Sequence, residues 1–470
     1  MTKLKKLILP KPTESDRFNA IDPLDSRYYD AEIAKYLSER SRIAYQAHVE
    51  SALAHTLADF EICSHTVASQ IEVAARKVKV EQVYKEEQIT KHDIKALVNC
   101  IKRELPKTAQ PYVHFGATSY DIISTASSLQ LRTATNELII PRLKSLVRTL
   151  LSLTKIHADT VQIGRTHGQH AVPITFGFAI AEYVSRLGEN ILALQDLSNM
   201  LPGKFAGAVG AYNALNVFVD DPIKFEKTLL GYLDLKPAPY STQIVPPDST
   251  IRLMDELTLS AGIMSNLAHD MRHLQRTEIA EIREKFEPSQ TGSSTMAHKR
   301  NPWNFENVIS MHKQVLAQMV NANLNISSEH QRDLTDSASS RFYSVLLACV
   351  ASMTSRLNSV MSKIEVDSDN MQRNLKLTKG AIAAEPLYLL LEKYGHTEAH
   401  EVIKRLSQKA LASNIHLAEA IRKDNQLAAY WQKFTDKQKL LIEEPENRYT
   451  GLASQRAFAI HRQWSKLLAK

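Results

Sequence analysis

Apolar residues recur through the middle of the chain at alternating intervals of three and four positions. This spacing places them along one face of an α-helix, and its average of about 3.5 is typical of helices packed nearly parallel with interlocking side chains. Five segments carry the pattern, so it predicts five long helices. The apolar positions are Ile139, Leu143, Leu146, Leu150 and Leu153; Ile180, Val184, Leu187, Ile191 and Leu194; Met264, Leu267, Met271 and Leu274; Val308, Met311, Val315 and Met319; and Leu346, Val350, Met353, Leu357, Val360 and Ile364.

These segments predict an all-α fold with a long central helical bundle. No run that alternates apolar and polar residues at every second position has a comparable length, so we expect no extended strand. We predict a helical N-terminal domain over residues 1–117, the five-helix bundle over 118–366 and a helical C-terminal domain over 367–470. The apolar stripes are interpreted as core and carry no chemistry.

Composition agrees with a helical fold. The chain has 14 glycines in 470 residues, or about 3%, whereas soluble proteins average roughly 7%. Sandwiches and barrels need frequent turn residues, usually glycine, so a β-rich fold is excluded. Hydrophobic residues make up 44% and charged residues 23% of the chain, which excludes global disorder.

Charge and cysteine content narrow the class of protein further. The net charge of +7 permits an anionic substrate, but the one dense lysine cluster, at residues 3–11, is interpreted as a solvated terminus. No signal peptide or membrane-spanning segment is recognised. Cys63, Cys100 and Cys349 form neither a disulfide framework nor a metal motif, so the sequence predicts a cytoplasmic protein.

Candidate chemistry lies in three segments that break the helical pattern and are rich in Gly, Ser, Thr and His. They span residues 114–121, 164–170 and 291–302. Each alone could be an ordinary loop, but three at the ends of predicted bundle helices favour a site built where helix ends converge. In the third, Lys299 and Asn301 suit a carboxylate, and adjacent serines could supply a base stabilised by backbone donors and positive charge.

The third segment also carries a family resemblance. Residues 292–302, Gly-Ser-Ser-Thr-Met-Ala-His-Lys-Arg-Asn-Pro, resemble the signature of the fumarase/aspartase superfamily, G-S-S-x-M-P-x-K-x-N-P. Within it the chain most resembles the adenylosuccinate lyase family, over about residues 20–410. Ala297 stands where the family has proline, but no reacting group is lost. Supporting motifs lie at residues 25–28, 114–119, 166–168 and 331–337.

The resemblance implies a carbon–nitrogen lyase. Its reaction is β-elimination of fumarate from adenylosuccinate, giving AMP, and from succinyl-aminoimidazole-carboxamide ribotide in purine nucleotide biosynthesis. By similarity Ser293 is the base that takes the succinyl proton and His167 is the acid that protonates the departing nitrogen. Ser294 and His170 are the rivals for these roles, and the Thr-His-Gly pattern favours His167.

The resemblance also implies how the substrate is held. Lys299 and Asn301 would bind the succinyl carboxylates. Glu306 would orient His167 or its neighbours, or it would stabilise the first turn of a helix through the macrodipole; both interpretations stay open. Arg27, Tyr28, Ser337 and Arg341 match phosphate positions, and Arg332 matches a contact to the succinyl-nucleotide. The other implied substrate contacts are Lys91, His92, Asp93, His114, Thr118, Ser119, Thr166 and Gln243.

The resemblance implies a homotetramer whose active sites are assembled from three subunits, with a small-molecule nucleotide substrate and no cofactor, metal, nucleic acid or membrane. Two alternatives remain. One is another lyase of the superfamily, such as argininosuccinate lyase or a carboxymuconate cycloisomerase. The other is a basic helical scaffold that binds nucleic acid, against which the hydroxyls and histidines in glycine-bearing turns argue.

Overall fold

The computed structural model describes residues 20–468 except positions 288, 290, 291, 293 and 297. The lysine cluster at residues 3–11 therefore lies outside the described residues. Helices dominate the described chain, which confirms the all-α class. The α-helices are α1 (Ala31–Leu37), α2 (Glu39–Asp59), α3 (His65–Lys77), α4 (Val80–Thr90), α5 (Asp93–Arg103), α6 (Ser119–Ala134), α7 (Ile140–Ile156), α8 (Phe176–Asn199), α9 (Pro222–Tyr232), α10 (Asp248–Leu274), α11 (Trp303–Leu324), α12 (Tyr343–Met361), α13 (Ser368–Leu375), α14 (Ala384–Lys393), α15 (Ala399–Ala412), α16 (Leu417–Lys423), α17 (Ala428–Lys433), α18 (Asp436–Glu443), α19 (Pro445–Arg448) and α20 (Ala453–Leu467).

The strands are short and form three separate two-stranded sheets in the described chain. The β1 and β2 strands form an antiparallel hairpin, β3 pairs with β4 in parallel, and β5 pairs with β6 antiparallel. The strands are β1 (Val161–Thr166), β2 (Gln169–Thr175), β3 (Pro202–Gly203), β4 (Lys236–Pro237), β5 (Ile282–Arg283) and β6 (Glu365–Val366).

Except for Ile139, just before α7, and Ile364, just after α12, the residues of the five predicted stripes fall in α7, α8, α10, α11 and α12. Their stripe residues face the core: Leu187, Leu267 and Leu357 are fully buried. The chain forms two compact units, and the division points along the sequence fall within these helices. Unit 1 comprises residues up to 142 with 192–261 and 311–353; unit 2 comprises 143–191, 262–310 and 354 onward.

The two units divide the chain differently from the three predicted domains. The predicted boundaries, near residues 117 and 367, follow changes in the sequence pattern, whereas the units follow contacts between residues. The three-domain division stays a prediction.

Unit 1 has a core built around α2, which packs against α3, α6 and α9. Leu53 and Leu57 of α2 are fully buried together with Ile71, Leu97 and Phe225. The helix begins at a Ser38 cap, whose hydroxyl accepts a hydrogen bond from Ser41 N–H at 3.3 Å and so satisfies an end donor. The buried face of α2 therefore organises the first part of the chain.

Unit 2 contains the β1–β2 hairpin and the C-terminal helices α13–α20. The α14 helix packs against α15 and α18 around a separate apolar cluster that includes Leu387, Leu391 and Ile442. The fully buried Trp464 of α20 lies against Gly188 of α8, where an added Cβ would stand 2.4 Å from the indole ring. Only glycine permits this close approach.

The β1–β2 hairpin is absent from the sequence prediction. Its strands are six and seven residues long, and their pairing is interrupted by an irregularity between Ile163 and Arg165. Gly164 lies at that point, with an added Cβ only 2.7 Å from the Val172 carbonyl oxygen. The interruption breaks the two-residue periodicity on which strand prediction depends.

One helical stretch in the described part of the chain, Ser339–Met361, is long and apolar enough to cross a membrane by length and composition. Core helices pass the same test, and 61% of its most apolar window is buried within the protein. It contains the predicted stripe from Leu346 to Val360, so the core accounts for its apolar character.

Candidate active site

A cavity of about 670 Å³ lies in unit 1. It is bounded by the start of α2, the junction of α4 and α5, the first turns of α6 and the chain around residues 334–344. Six residues implied by the resemblance line it: Lys91, His92, Asp93, Ser119, Ser337 and Arg341.

The α4–α5 junction presents three of these residues because the backbone reverses there. Lys91 ends α4 in the left-handed conformation, with φ of 53°. His92 caps α5, and its Nδ1 accepts a hydrogen bond from Lys95 N–H at 3.4 Å. Its other ring nitrogen, Nε2, lies 3.5 Å from Ser119 Oγ at the start of α6. The cap therefore joins two helix ends at the cavity wall.

Ser337 and Arg341 reach the cavity from a turn followed by a 3-10 helix, Ser339–Phe342. The guanidinium of Arg341 lies 3.8 Å from Asp93 Oδ2 and about half of its side chain is exposed. Positively charged groups and hydroxyl groups thus line the same cavity, together with the carboxylates of Glu39, Glu87, Asp93 and Asp336.

Arg42 and Glu39 form an ion pair at the cavity that sequence reasoning missed. The two guanidinium nitrogens lie 2.8 and 2.5 Å from the carboxylate oxygens, and Tyr84 donates to the same carboxylate at 2.7 Å. Burial alone would raise the pKa of Glu39, but the hydrogen bond and charge of Arg42 lower it below the ordinary value. A Glu-x-x-Arg spacing is usual on any helix surface, so no signal marked this pair.

Arg332 is almost fully buried beside the cavity. Its guanidinium lies 4.2 Å from the ring centroid of Tyr120, donates to the Tyr120 hydroxyl and pairs with Asp336 at 2.8 Å. Gln243 lies nearby in the chain fold, since its backbone N–H donates to the Gln331 carbonyl at 3.2 Å. The structure thus brings together Arg332 and Gln243, which are distant in sequence.

His114 and Thr118 lie at the two ends of a turn held by buried carboxylates. Glu50 of α2 contacts the ring and backbone of His114, while Thr118 N–H donates to Asp121 at 2.9 Å. Asp121 in turn binds the ammonium of Lys204, and both side chains are fully buried. Sequence reasoning missed Glu50, Asp121 and Lys204.

Arg27 and Tyr28 are not among the described residues that line the cavity. They follow a short 3-10 helix, Pro23–Asp25, and Tyr28 N–H donates to the Pro23 carbonyl at 2.8 Å. Arg27 is exposed and Tyr28 half-buried. The structure of unit 1 does not bring these two residues to the cavity wall, and their phosphate role stays a prediction.

Unit 2 carries Thr166 and His167 at the tip of the β1–β2 hairpin. His167 and Gly168 are the two loop residues, and both have positive φ, 54° and 73°. This is the backbone requirement of a type I′ hairpin turn. Both predicted residues are exposed, so the turn presents the His167 imidazole to solvent.

The hairpin is anchored by the fully buried carboxylate of Glu281. Arg165 of β1 donates to its two oxygens at 2.5 and 3.1 Å, and Gln162 donates at 2.7 Å. Asn374 of α13 adds a donor at 2.8 Å. A charge shared among three polar donors fixes the strand that leads to His167.

The segment resembling the superfamily signature also lies in unit 2, but Ser293 and Ala297 are outside the described residues. Asn301 donates from its side-chain amide to the Gly292 carbonyl at 3.1 Å and so ties the two ends of the segment together. An added Cβ at Gly292 would lie 2.1 Å from the Lys299 carbonyl oxygen. Lys299 itself is exposed.

The segment leads into α11 through a carboxylate cap. Buried Glu284 accepts the backbone N–H of Asn304 at 3.1 Å and its amide at 2.6 Å. Burial raises the pKa of Glu284 although these hydrogen bonds oppose the rise. Glu306 lies in the first turn of α11, 3.9 Å from Arg272, and neither of its two interpretations is decided.

The candidate residues therefore form one group in each unit. Among the described residues, no three or more His, Cys, Asp or Glu side chains are placed to hold a metal ion.

Comparisons with known proteins identify the family. A family model described as a lyase matches residues 24–317, and one described as adenylosuccinate lyase C-terminal matches residues 328–439. Adenylosuccinate lyase of Archaeoglobus fulgidus is 34% identical over 95% of this chain and 99% of its own length. That of Pyrococcus abyssi is 38% identical over 87% of this chain and 92% of its own length.

Solved structures share the fold. The 3-carboxy-cis,cis-muconate lactonizing enzyme from Pseudomonas putida matches with a TM-score of 0.83 and 27% identity, covering 94% of this chain and all of that one. A fumarate lyase from Mesorhizobium sp. BNC1 matches with a TM-score of 0.82 at 24% identity, a likeness of fold alone. Since both family models and full-length relatives above 30% identity agree, this chain is a lyase and belongs to the adenylosuccinate lyase family.

Proposed function

We propose that this enzyme cleaves adenylosuccinate to AMP and fumarate, and that it cleaves succinyl-aminoimidazole-carboxamide ribotide in the same way. Family membership supports the reaction type. The observation that supports this substrate is that Lys91, Arg341, Ser119 and Ser337 line one cavity. Two cations and two hydroxyls suit a phosphate dianion, which argininosuccinate and fumarate lack.

The proposed chemistry is an elimination with two proton transfers. Ser293 takes a proton from the succinyl carbon, and the electron pair spreads into the adjacent carboxylate, whose charge Lys299 and Asn301 stabilise. That electron pair then returns to form the carbon–carbon double bond of fumarate as the carbon–nitrogen bond breaks. The electrons of the broken bond pass to the departing nitrogen, and His167 supplies the proton that this nitrogen gains. Each proton-transfer group contributes about 10²–10⁴-fold in rate.

The remaining contacts fit the same ligand. Arg332, stacked on Tyr120, would bind the succinyl-nucleotide with a guanidinium already held in place, which lowers the ordering cost of binding. Gln243 and Thr166 would add hydrogen bonds, and Arg27 and Tyr28 would complete the phosphate site.

An activity assay tests this function. We expect the wild-type enzyme to release fumarate from adenylosuccinate, seen as a change in ultraviolet absorbance, and to leave argininosuccinate and carboxymuconate unchanged. Turnover of either of those compounds with none of adenylosuccinate would contradict the proposal. A salt-dependent shift of nucleic acid by an inactive protein would instead favour the scaffold alternative.

We further propose a homotetramer with shared active sites. Support comes from α11, where Leu316, Val320 and Leu324 follow one another at four-residue intervals and are 46%, 60% and 74% exposed. An apolar helix face left in water is typical of a surface that packs against another chain, and a second copy of this chain is the occupant we propose.

Light scattering on the purified protein is expected to give about four times the chain mass of 52.9 kDa. Val320→Lys should shift the protein to smaller species and reduce activity, because it places a charge in the interface. Gln314→Lys, at another exposed position of α11, is the matched control and should remain tetrameric. A monomeric wild-type enzyme with full activity would overturn the proposal.

We also propose a cytoplasmic location without nucleic-acid or membrane partners. The three cysteines, Cys63, Cys100 and Cys349, are unpaired, which suits a reducing compartment. Burial raises the pKa of Cys349 to about 12, so this thiol is chemically inert.

A further inference from the structure

The Glu50 carboxylate is a buried charge with one principal partner. Its side chain is fully buried in α2, and Oε1 lies 2.6 Å from Nδ1 of His114. Oε2 accepts the backbone N–H of the same histidine at 3.1 Å. One carboxylate is therefore hydrogen-bonded to both the ring and the main chain of a single residue.

These two hydrogen bonds hold His114 in an unfavourable backbone conformation. His114 has φ of 61°, in the left-handed region that is unfavourable for a non-glycine residue. Two hydrogen bonds to an ionised acceptor are strong enough to offset that cost. The turn that follows reaches Thr118, whose backbone N–H Asp121 accepts at 2.9 Å.

The contact with Glu50 also determines which ring nitrogen of His114 carries hydrogen. An ionised carboxylate only accepts hydrogen bonds, so Nδ1 must carry a hydrogen. The other nitrogen, Nε2, then has a lone pair in the neutral ring and an N–H in the imidazolium. No hydrogen bond to Nε2 occurs within the described part of the chain, and a fifth of the side chain is exposed. That nitrogen is available to a ligand.

The surrounding charges favour the imidazolium. Burial alone would lower the pKa of His114, but the charge of Glu50 and its hydrogen bond raise it above the ordinary value. Asp121 of α6 adds to the rise, and Lys102 of α5 opposes it. Because the folded-state value is raised, the ring keeps its charge to higher pH than a free histidine and loses it as pH rises.

We propose that Glu50 is a positioning residue that fixes His114 so that Nε2–H binds an oxyanion of the substrate. Glu50 itself does not touch the ligand and acts through His114. The proposal rests on the proposed function, because it takes adenylosuccinate as the source of the oxyanion. That group is either the phosphate or a succinyl carboxylate. The product AMP retains the phosphate, and the product fumarate retains the succinyl carboxylates.

The first measurement needs no variant of Glu50. The wild-type enzyme is labelled with ¹³C at histidine Cε1, and the NMR signal of His114 is assigned by its loss in His114→Gln. The pH dependence of this signal is expected to give a pKa above the ordinary histidine value of about 6.5. A His114 signal that titrates at or below that value would overturn the proposal. This result does not depend on turnover, so a failure of the proposed function would be seen separately, in the wild-type assay.

The second measurement is the Glu50→Gln variant, which keeps the size of the side chain but removes its charge. We expect KM for adenylosuccinate at neutral pH to rise about tenfold, the worth of one charged hydrogen bond, with a much smaller change in kcat. The rise of KM with pH should begin at lower pH than in the wild type. Inhibition by AMP or by fumarate should weaken, according to which oxyanion His114 binds.

Glu226→Gln is the matched control. Glu226 is another buried carboxylate of unit 1, and it also accepts one backbone N–H, from Phe205 at 2.7 Å, and one side-chain donor, from Tyr212 at 2.6 Å. It should match Glu50→Gln in lost stability without the change in the pH dependence of KM. Equal pH profiles in both variants, with inhibition by both products unchanged, would contradict the proposal.

Discussion

A His167→Asn variant is expected to lose turnover of adenylosuccinate by about 10²–10⁴-fold, the worth of one proton donor, while keeping its fold. Asparagine enters the left-handed conformation more readily than other non-glycine residues, and Asn-Gly is favoured in type I′ hairpin turns. His167 and Gly168 occupy such a turn, with φ of 54° and 73°. The substitution therefore removes the imidazole without straining the hairpin, and initial rates together with thermal unfolding separate the two effects.

His170→Asn is the control on the same hairpin. Burial, reinforced by the charge of Arg165, lowers the pKa of His170 below its ordinary value, so its ring is neutral near pH 7 and has no proton to donate readily. Activity close to that of the wild type is expected. If His170→Asn were inactive and His167→Asn active, the assignment of the acid would be reversed.

The helices could be predicted from sequence because their periodicity is local. Each stripe, such as that from Leu346 to Val360 in α12, depends on residues within a few turns of one another. The cavity wall could be predicted only through the resemblance. Local sequence patterns do not indicate that Lys91 and Arg341, which are 250 positions apart, line the same cavity. The family motifs that match at both positions do indicate it.

The buried charges could not be predicted, because a charged residue in sequence does not reveal its partner. Glu50 and His114 are 64 positions apart, and Asp121 and Lys204 are 83 apart. One local signal was present: Lys204 stands between Gly203 and Phe205, in a stretch with few other polar residues. The hairpin was missed for a different reason, since Gly164 interrupts the alternation of its first strand.

Loss of one partner of the buried pair Asp121–Lys204 is expected to cause the largest change in stability. Lys204→Met should lower the free energy of unfolding by about 3–5 kcal/mol, because it leaves the Asp121 carboxylate buried without its counter-charge. Asp121 also accepts the backbone N–H groups of Thr118, Ala206 and Gly207 at 2.9–3.2 Å. Activity should fall as well, since Asp121, which accepts the backbone N–H of Thr118, loses its counter-charge. Urea unfolding followed by circular dichroism measures the first effect.

The exposed pair Arg40–Glu81 in the same unit is the matched control. Its atoms are 2.5 Å apart, but the side chains are 67% and 64% exposed, so Arg40→Met should change the free energy of unfolding far less than Lys204→Met. Removing both buried charges, in Lys204→Met with Asp121→Asn, should cost less than the sum of the single changes, because neither variant residue leaves a lone charge in the core. Equal losses of unfolding free energy in Lys204→Met and Arg40→Met would mean that burial of the Asp121–Lys204 pair does not determine its contribution to stability. A several-fold larger loss for Lys204→Met would show that burial makes the ion pair of Asp121, which holds Thr118, important to stability.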